Sequence, residues 1–162
     1  MGGIILTSPG YLELLRSNKT FARLWGSNMI LYIGDWFTVL AMFLLAGDAT
    51  DNSPLAIAGV LAVRSFTFAP LEPITGMLAD RYPRKYLMII ANLFSFVILI
   101  SFILTGILDN LFSVYALTVL LVVGRAIYDP AGTAYLPTIC SEEELLTAVS
   151  YTHLTLPTNR EV

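Results

Sequence analysis

The stretch Gly76-Met77-Leu78-Ala79-Asp80-Arg81-Tyr82-Pro83-Arg84-Lys85 sets four charges and a glycine into a short link between two long apolar runs. Upstream lies Leu55 to Ala79 and downstream Tyr86 to Gly106, each longer than the roughly 20 residues that cross a bilayer core. Short links rich in Lys and Arg between such runs collect on the cytoplasmic side of membranes. The spacing therefore predicts two membrane helices joined by a cytoplasmic turn, and the rest of the chain is read outward from it.

Composition agrees. Hydrophobic residues make up 56% of the chain and charged residues 13%, against about 25% charged in an average soluble domain. Mean hydropathy is +0.74, so the bilayer is the expected solvent. A net charge of -3 gives no basic face for nucleic acid. The single cysteine, Cys140, has no internal disulfide partner and reads as a small apolar residue without a chemical role. Ile4-Ile5-Leu6 is too short for the core of a cleavable signal, so the first span is expected to direct insertion itself.

Working outward, the expectation is an all-α membrane protein. Pro9 to Lys19 mixes Tyr11, Leu12, Leu14 and Leu15 with Glu13, Arg16 and Lys19, the pattern of a short amphipathic helix lying in the membrane interface within a cytoplasmic segment 1–20. Phe21 to Gly47 is the first span, with Trp25 and Trp36 as its aromatic elements, and Asp48 to Pro54 turns. Leu55 to Ala79 is the second, interrupted by Pro70 and Pro73, each of which removes a backbone donor and kinks the helix. Tyr86 to Gly106 is the third, nearly featureless apart from Asn92, Ser95 and Ser101 and so expected to face lipid. Leu108 to Asn110 turns, and Leu111 to about Tyr128 is the fourth, ending at Asp129-Pro130-Ala131-Gly132. Glu142-Glu143-Glu144 with Leu145 and Leu146 reads as the lead-in to a fifth, which places a partial transmembrane half at 21–148.

Cations orient the chain. Of nine Lys and Arg, six lie at or before the start of the first span (Arg16, Lys19, Arg23) or between the second and third (Arg81, Arg84, Lys85). The links at 48–54 and 108–110 carry none. The N-terminus and the 80–86 link are thus expected in the cytoplasm.

From Val149 onward, Val-Ser-Tyr-Thr-His-Leu-Thr-Leu-Pro-Thr resembles a translated transposon-end adapter of the kind used in sequencing libraries. Residues 149–162 are accordingly set aside from fold reasoning, and with them His153, the only histidine.

Four ions fall inside the spans. Asp35 lies midway between Arg23 and Gly47, near the bilayer centre. Arg64 lies ten residues past Pro54, about 15 Å at helical rise, which brings it to the depth of Asp35. The two are expected partners. Glu72 and Arg125 both lie toward the inner side and are a weaker expected pair. A central Asp or Arg costs about 2.5–3.5 kcal/mol on insertion scales, so such residues face a protein interior or a wet cavity. One reading is that they only lock helices together; the other is that they carry protons and line a cavity. In the link itself, Gly76 permits close helix approach, Asp80 can accept from a neighbouring helix N-terminus, and Arg81, Arg84 and Lys85 suit lipid phosphates or acidic helix ends.

The ordered Gly-x-Leu-Ala-Asp-Arg string, followed by Arg84-Lys85, resembles the link between the second and third helices of the major facilitator superfamily, with Pro83 where that family usually has glycine. Gly34-Asp35-Trp36, and Arg125 with Tyr128-Asp129-Pro130-Ala131, resemble its drug, macrolide and siderophore exporter branch. The resemblance covers roughly 20–148. It implies the N-terminal four transmembrane helices of a twelve-helix fold of two six-helix halves, each of inverted three-helix repeats. It also implies a gating network in which Asp80 and Arg84 act with Asp129, and a link between Arg125 and proton coupling. Expected partners are the lipid bilayer, protons, a small-molecule substrate and the missing C-terminal half, with no cofactor or metal, in a bacterial inner membrane.

The resulting expectation is a proton-coupled secondary exporter of small amphipathic molecules, in which Asp35 and Glu72 take up protons and Arg64 and Arg125 tune them. An alternative is a membrane-embedded sensor or binding protein that kept the helices without turnover. No Ser-His, Asp-Asp or metal-ligand arrangement outside the tail supports an enzyme.

Overall fold

The computed structural model describes residues 11–141 and 144–145, all of their regular structure being helical. The helices are α1 (Tyr11–Ser17), α2 (Lys19–Asp48), α3 (Pro54–Arg81), α4 (Arg84–Thr105) and α5 (Leu111–Ile139). The last four are long and apolar enough to cross a membrane. They match the four expected spans in order, each start or end moving by a few residues except at one end of α5. The adapter-like stretch from Val149, together with Glu142 and Glu143, lies outside the described residues.

Local chemistry explains the boundaries. The Asn18 carboxamide oxygen accepts from the Phe21 N–H at 3.0 Å, and Asn110 does the same for Ser113 at 2.9 Å, so each caps the start of a long helix. Pro54 opens α3, where its missing donor costs nothing. Gly106 closes α4 with φ of 63°, a left-handed conformation that glycine adopts freely. The α2–α3 turn uses Asp51 and Asn52 at φ of 49° and 61°, residues whose short polar side chains tolerate that region.

Helix α3 is continuous through Pro70 and Pro73, whereas the expected end of the fourth span near Tyr128 is corrected: α5 runs past Pro130 and Pro137 to Ile139. A proline removes one backbone donor, whereas ending a helix leaves four carbonyls without partners, a larger cost where no water can satisfy them.

The chain forms two compact units. The larger, residues 30–135, has a core of Met42 and Ala46 from α2, Val60 from α3, and Val114 and Leu117 from α5, with Ile98, Leu99 and Phe102 of α4 packed against it. Two close approaches hold its helices. A methyl group at Gly124 on α5 would strike the Ser95 hydroxyl and lie 3.3 Å from the Ala91 carbonyl on α4. At Gly59 on α3 it would strike the hydroxyl of Tyr115, which donates to the Ala56 carbonyl at 2.9 Å.

The smaller unit joins residues up to 29 with those from 136 onward. In it Leu14 of α1 is 0% exposed and packs with Phe21, Leu136, Ile139 and Cys140. The apolar side of α1 is therefore turned to protein, with Leu12 and Glu13 on the outside. The Asn18 amide donates to the Ile139 carbonyl at 2.7 Å and to Glu144 at 3.3 Å. Ser141 and Glu144 exchange hydrogen bonds, backbone N–H to carboxylate at 2.9 Å and backbone N–H to hydroxyl at 3.3 Å. That reciprocal arrangement marks a helix start, and it was not read from the sequence. Burial, and the Glu144 carboxylate after it, push the Cys140 thiol up from its ordinary value, so it stays protonated.

Candidate functional site

The intramembrane ions gather in the larger unit. Arg64 Nη2 donates to Asp35 Oδ2 at 2.5 Å, joining α3 to α2, with side chains 29% and 25% exposed. Asp35 and Arg64 thus meet, as their positions along the two spans implied. Asp35 also borders a cavity of about 360 Å³ between α2, α4 and α5. Its polar lining comes from Asp35, Thr38, Asn92, Ser95, Arg125 and Tyr128, and its walls include Ile30, Leu31, Phe96, Leu99 and Leu121. Helix α4 therefore does not face lipid all round: one face, with Asn92 and Ser95, lines this cavity.

Arg125 is not paired with Glu72. Its Nε donates to Asp129 Oδ2 at 2.9 Å, one helical turn further along α5. The guanidinium also lies 4.5 Å from the centre of the Tyr32 ring on α2 and 5.9 Å from that of Tyr128, distances at which a ring face attracts a cation. Tyr32 was not singled out from the sequence. A Tyr at i-3 from an intramembrane Asp, facing an Arg on another helix, was the signal available. Asp35 and Arg125 line the same cavity, so the two ion pairs border one space between α2, α4 and α5.

Arg84 does not reach Asp129 either. Its Nη1 donates to the Ala134 carbonyl of α5 at 2.6 Å, tying the start of α4 to the last third of α5. Asp129 instead lines a second cavity, of about 420 Å³, together with Glu72, Gly76, Ala79, Asp80 and Thr133. Three carboxylates line it and no cation does. Among the described residues neither the Glu72 nor the Asp80 carboxylate has a hydrogen bond or ion pair, while Arg81 and Lys85 stay exposed on the α3–α4 link. Glu72 and Asp80 thus share a cavity with Asp129, and the expected Glu72–Arg125 and Arg84–Asp129 pairs are absent from this structure.

The chain is 28% identical over 137 residues to YfiS of Bacillus subtilis (strain 168), described as an uncharacterised transporter of the major facilitator type. That alignment covers 85% of this chain and 32% of the relative, so the chain spans about a third of the relative's length. No solved structure matches it. A model of the Major Facilitator Superfamily matches residues 24–157, and the chain, an integral membrane protein by its four apolar helices, belongs to that superfamily.

Proposed function

We propose that this chain is the N-terminal part of a proton-coupled secondary transporter that exports small amphipathic molecules, with Asp35 as the group that exchanges protons. The observation that carries the reading is the ion pair with Arg64 made by Asp35, which itself lines a largely apolar cavity. An ionised pair inside a membrane protein is stable while both charges are present. Adding a proton to Asp35 removes one of them and leaves Arg64 needing a new acceptor. Loss of that pairing on one side redistributes the contacts between α2 and α3. Release of the same proton to the other side restores the first pairing. Coupling requires such a pair of arrangements with different exposure.

The cavity supports the substrate class. About 360 Å³ is at the small end of ligand pockets, which commonly run from about 300 to 1,000 Å³. Its apolar walls with a few polar groups at Asn92, Ser95, Thr38 and Tyr128 suit an amphipathic molecule. The remainder of a longer chain would complete it. Gly76, Asp80, Arg81, Arg84 and Lys85 form the inner gate in this reading, with the Arg84–Ala134 bond as a tie that opening must release. The N-terminus and the 80–86 link are cytoplasmic and the membrane is the bacterial inner membrane.

The test uses the full-length protein of the parent gene in everted membrane vesicles, energised by a pH gradient, with ethidium and tetraphenylphosphonium as probes. Asp35→Asn removes the exchangeable proton at nearly constant volume. It is expected to abolish gradient-driven flux, by about 100-fold or more given what proton-transfer groups contribute, while equilibrium probe binding persists. Normal gradient-driven flux in Asp35→Asn overturns the assignment.

A further inference from the structure

The guanidinium of Arg125 is held on one edge and one face, and its end is left unused. Its Nε donates to Asp129 Oδ2 at 2.9 Å, and the centre of the Tyr32 ring lies 4.5 Å from the guanidinium carbon. Among the described residues neither Nη1 nor Nη2 makes a hydrogen bond. No buried side-chain nitrogen or oxygen among those residues lacks a partner, so both nitrogens open on free space. The side chain is 15% exposed, and the space it borders is the cavity of about 360 Å³. Nη1 and Nη2 form a planar fork of N–H donors that matches the two oxygens of a carboxylate. On the α4 side of the cavity the Asn92 carboxamide also has no hydrogen bond among the described residues.

The other polar groups are already engaged. Asp35 Oδ2 is taken by Arg64, and the face of Tyr32 carries Arg125 itself, so the carboxylate and the ring that a cation would seek are occupied. The hydroxyls of Thr38 and Ser95 donate to the Gly34 and Ala91 carbonyls of their own helices, at 2.8 and 3.0 Å. What stays open in the cavity is rich in donors.

We propose that Arg125 anchors a carboxylate subsite in this cavity, and that the cargo includes amphipathic carboxylates. Their flat apolar body lies against Ile30, Phe96 and Leu121, and their carboxylate sits on the Nη fork. Five N–H donors let one guanidinium serve Asp129 and the cargo together. Tyr32 is a positioning residue: its ring face keeps the guanidinium from turning about its bond to Asp129, so the fork stays toward the cavity. The inference rests on the reading of this cavity as a cargo site and is independent of which group exchanges protons.

The test measures equilibrium binding of naphthoate, naphthamide and naphthylmethylammonium to the purified full-length protein by calorimetry, at fixed pH and without a gradient. The three share one apolar body and differ in the head group. The wild type is expected to bind naphthoate about tenfold or more tighter than naphthamide, in line with what a hydrogen bond to a charged group contributes. Arg125→Gln is expected to abolish that preference. Tyr32→Phe keeps the ring face and is expected to keep the preference, whereas Tyr32→Leu is expected to lower it by about threefold or more. A merely structural role for Tyr32 would weaken all three probes alike and overturns its positioning role. Equal affinity for carboxylate and amide in the wild type, a comparison that needs no variant, overturns the subsite and leaves the proposed function standing. It is the result expected if an acid of the remaining chain occupies the fork. Tighter binding of the ammonium than of the carboxylate also overturns it, as does a carboxylate preference that survives in Arg125→Gln. If none of the three binds, the cavity is not a cargo site and both readings fall.

Discussion

Arg125 has two local partners on its own helix, Asp129 and Tyr128, and one on α2, Tyr32. The Asp129 contact could be found only by a helix that continues past Pro130, since only then do the two residues stand one turn apart. Ending the span at Tyr128 hid that geometry and left Glu72 as the nearest acid by depth. Asp35 and Arg64, by contrast, were legible because each sits far from any helix end and depth alone brought them level. Removing one member of that pair should be costly. Arg64→Ala is expected to lower stability by about 2 kcal/mol, less than the 3–5 kcal/mol of a fully buried pair because both side chains are about a quarter exposed. The reversed pair Asp35→Arg with Arg64→Asp should recover most of it in thermal unfolding of the full-length protein. No recovery would mean that local packing, and not the charge pairing, sets the loss.

At the scale of elements, α3 and α5 are held close at their turn-side ends by a tyrosine over a glycine. Composition alone does not expose this contact, because nothing marks Gly59 apart from the other glycines until Tyr115 is seen above it. Gly59→Ala puts a methyl group onto the Tyr115 hydroxyl. The expected loss is about 1–3 kcal/mol, the usual range for overpacking, read as a lowered unfolding temperature. Adding Tyr115→Phe removes the clashing oxygen along with its bond to Ala56, and should return part of the loss. If the double variant is as unstable as the sum of the singles, the glycine acts through helix propensity instead. Helix α4 illustrates the same limit from another side: its apolar run fits a lipid-facing helix, yet Asn92 and Ser95 turn one face to the cavity.

For the whole molecule, the placement of cations argues for one orientation. Asn52, exposed in the α2–α3 turn, is expected outside, and Lys85, exposed at the start of α4, in the cytoplasm. Single cysteines at the two positions in the full-length protein check this. A membrane-impermeant maleimide on intact cells should label position 52, and position 85 only after permeabilisation. The opposite pattern would invert every statement about inner and outer gates.

The number of spans, their order and the position of each ion along its span were determined by sequence alone. Those properties are one-dimensional: hydropathy along the chain marks a span, and a fixed rise per residue converts residue number to distance along it. The superfamily was legible for the same reason, since its link motif is a contiguous string between two spans. Tertiary structure decided which ion meets which and which face of α4 lines a cavity. Each depends on how a helix is rotated about its axis and how closely it approaches its neighbours, and contacts such as Gly124 on Ser95 and Gly59 on Tyr115 set that rotation between residues far apart in the chain.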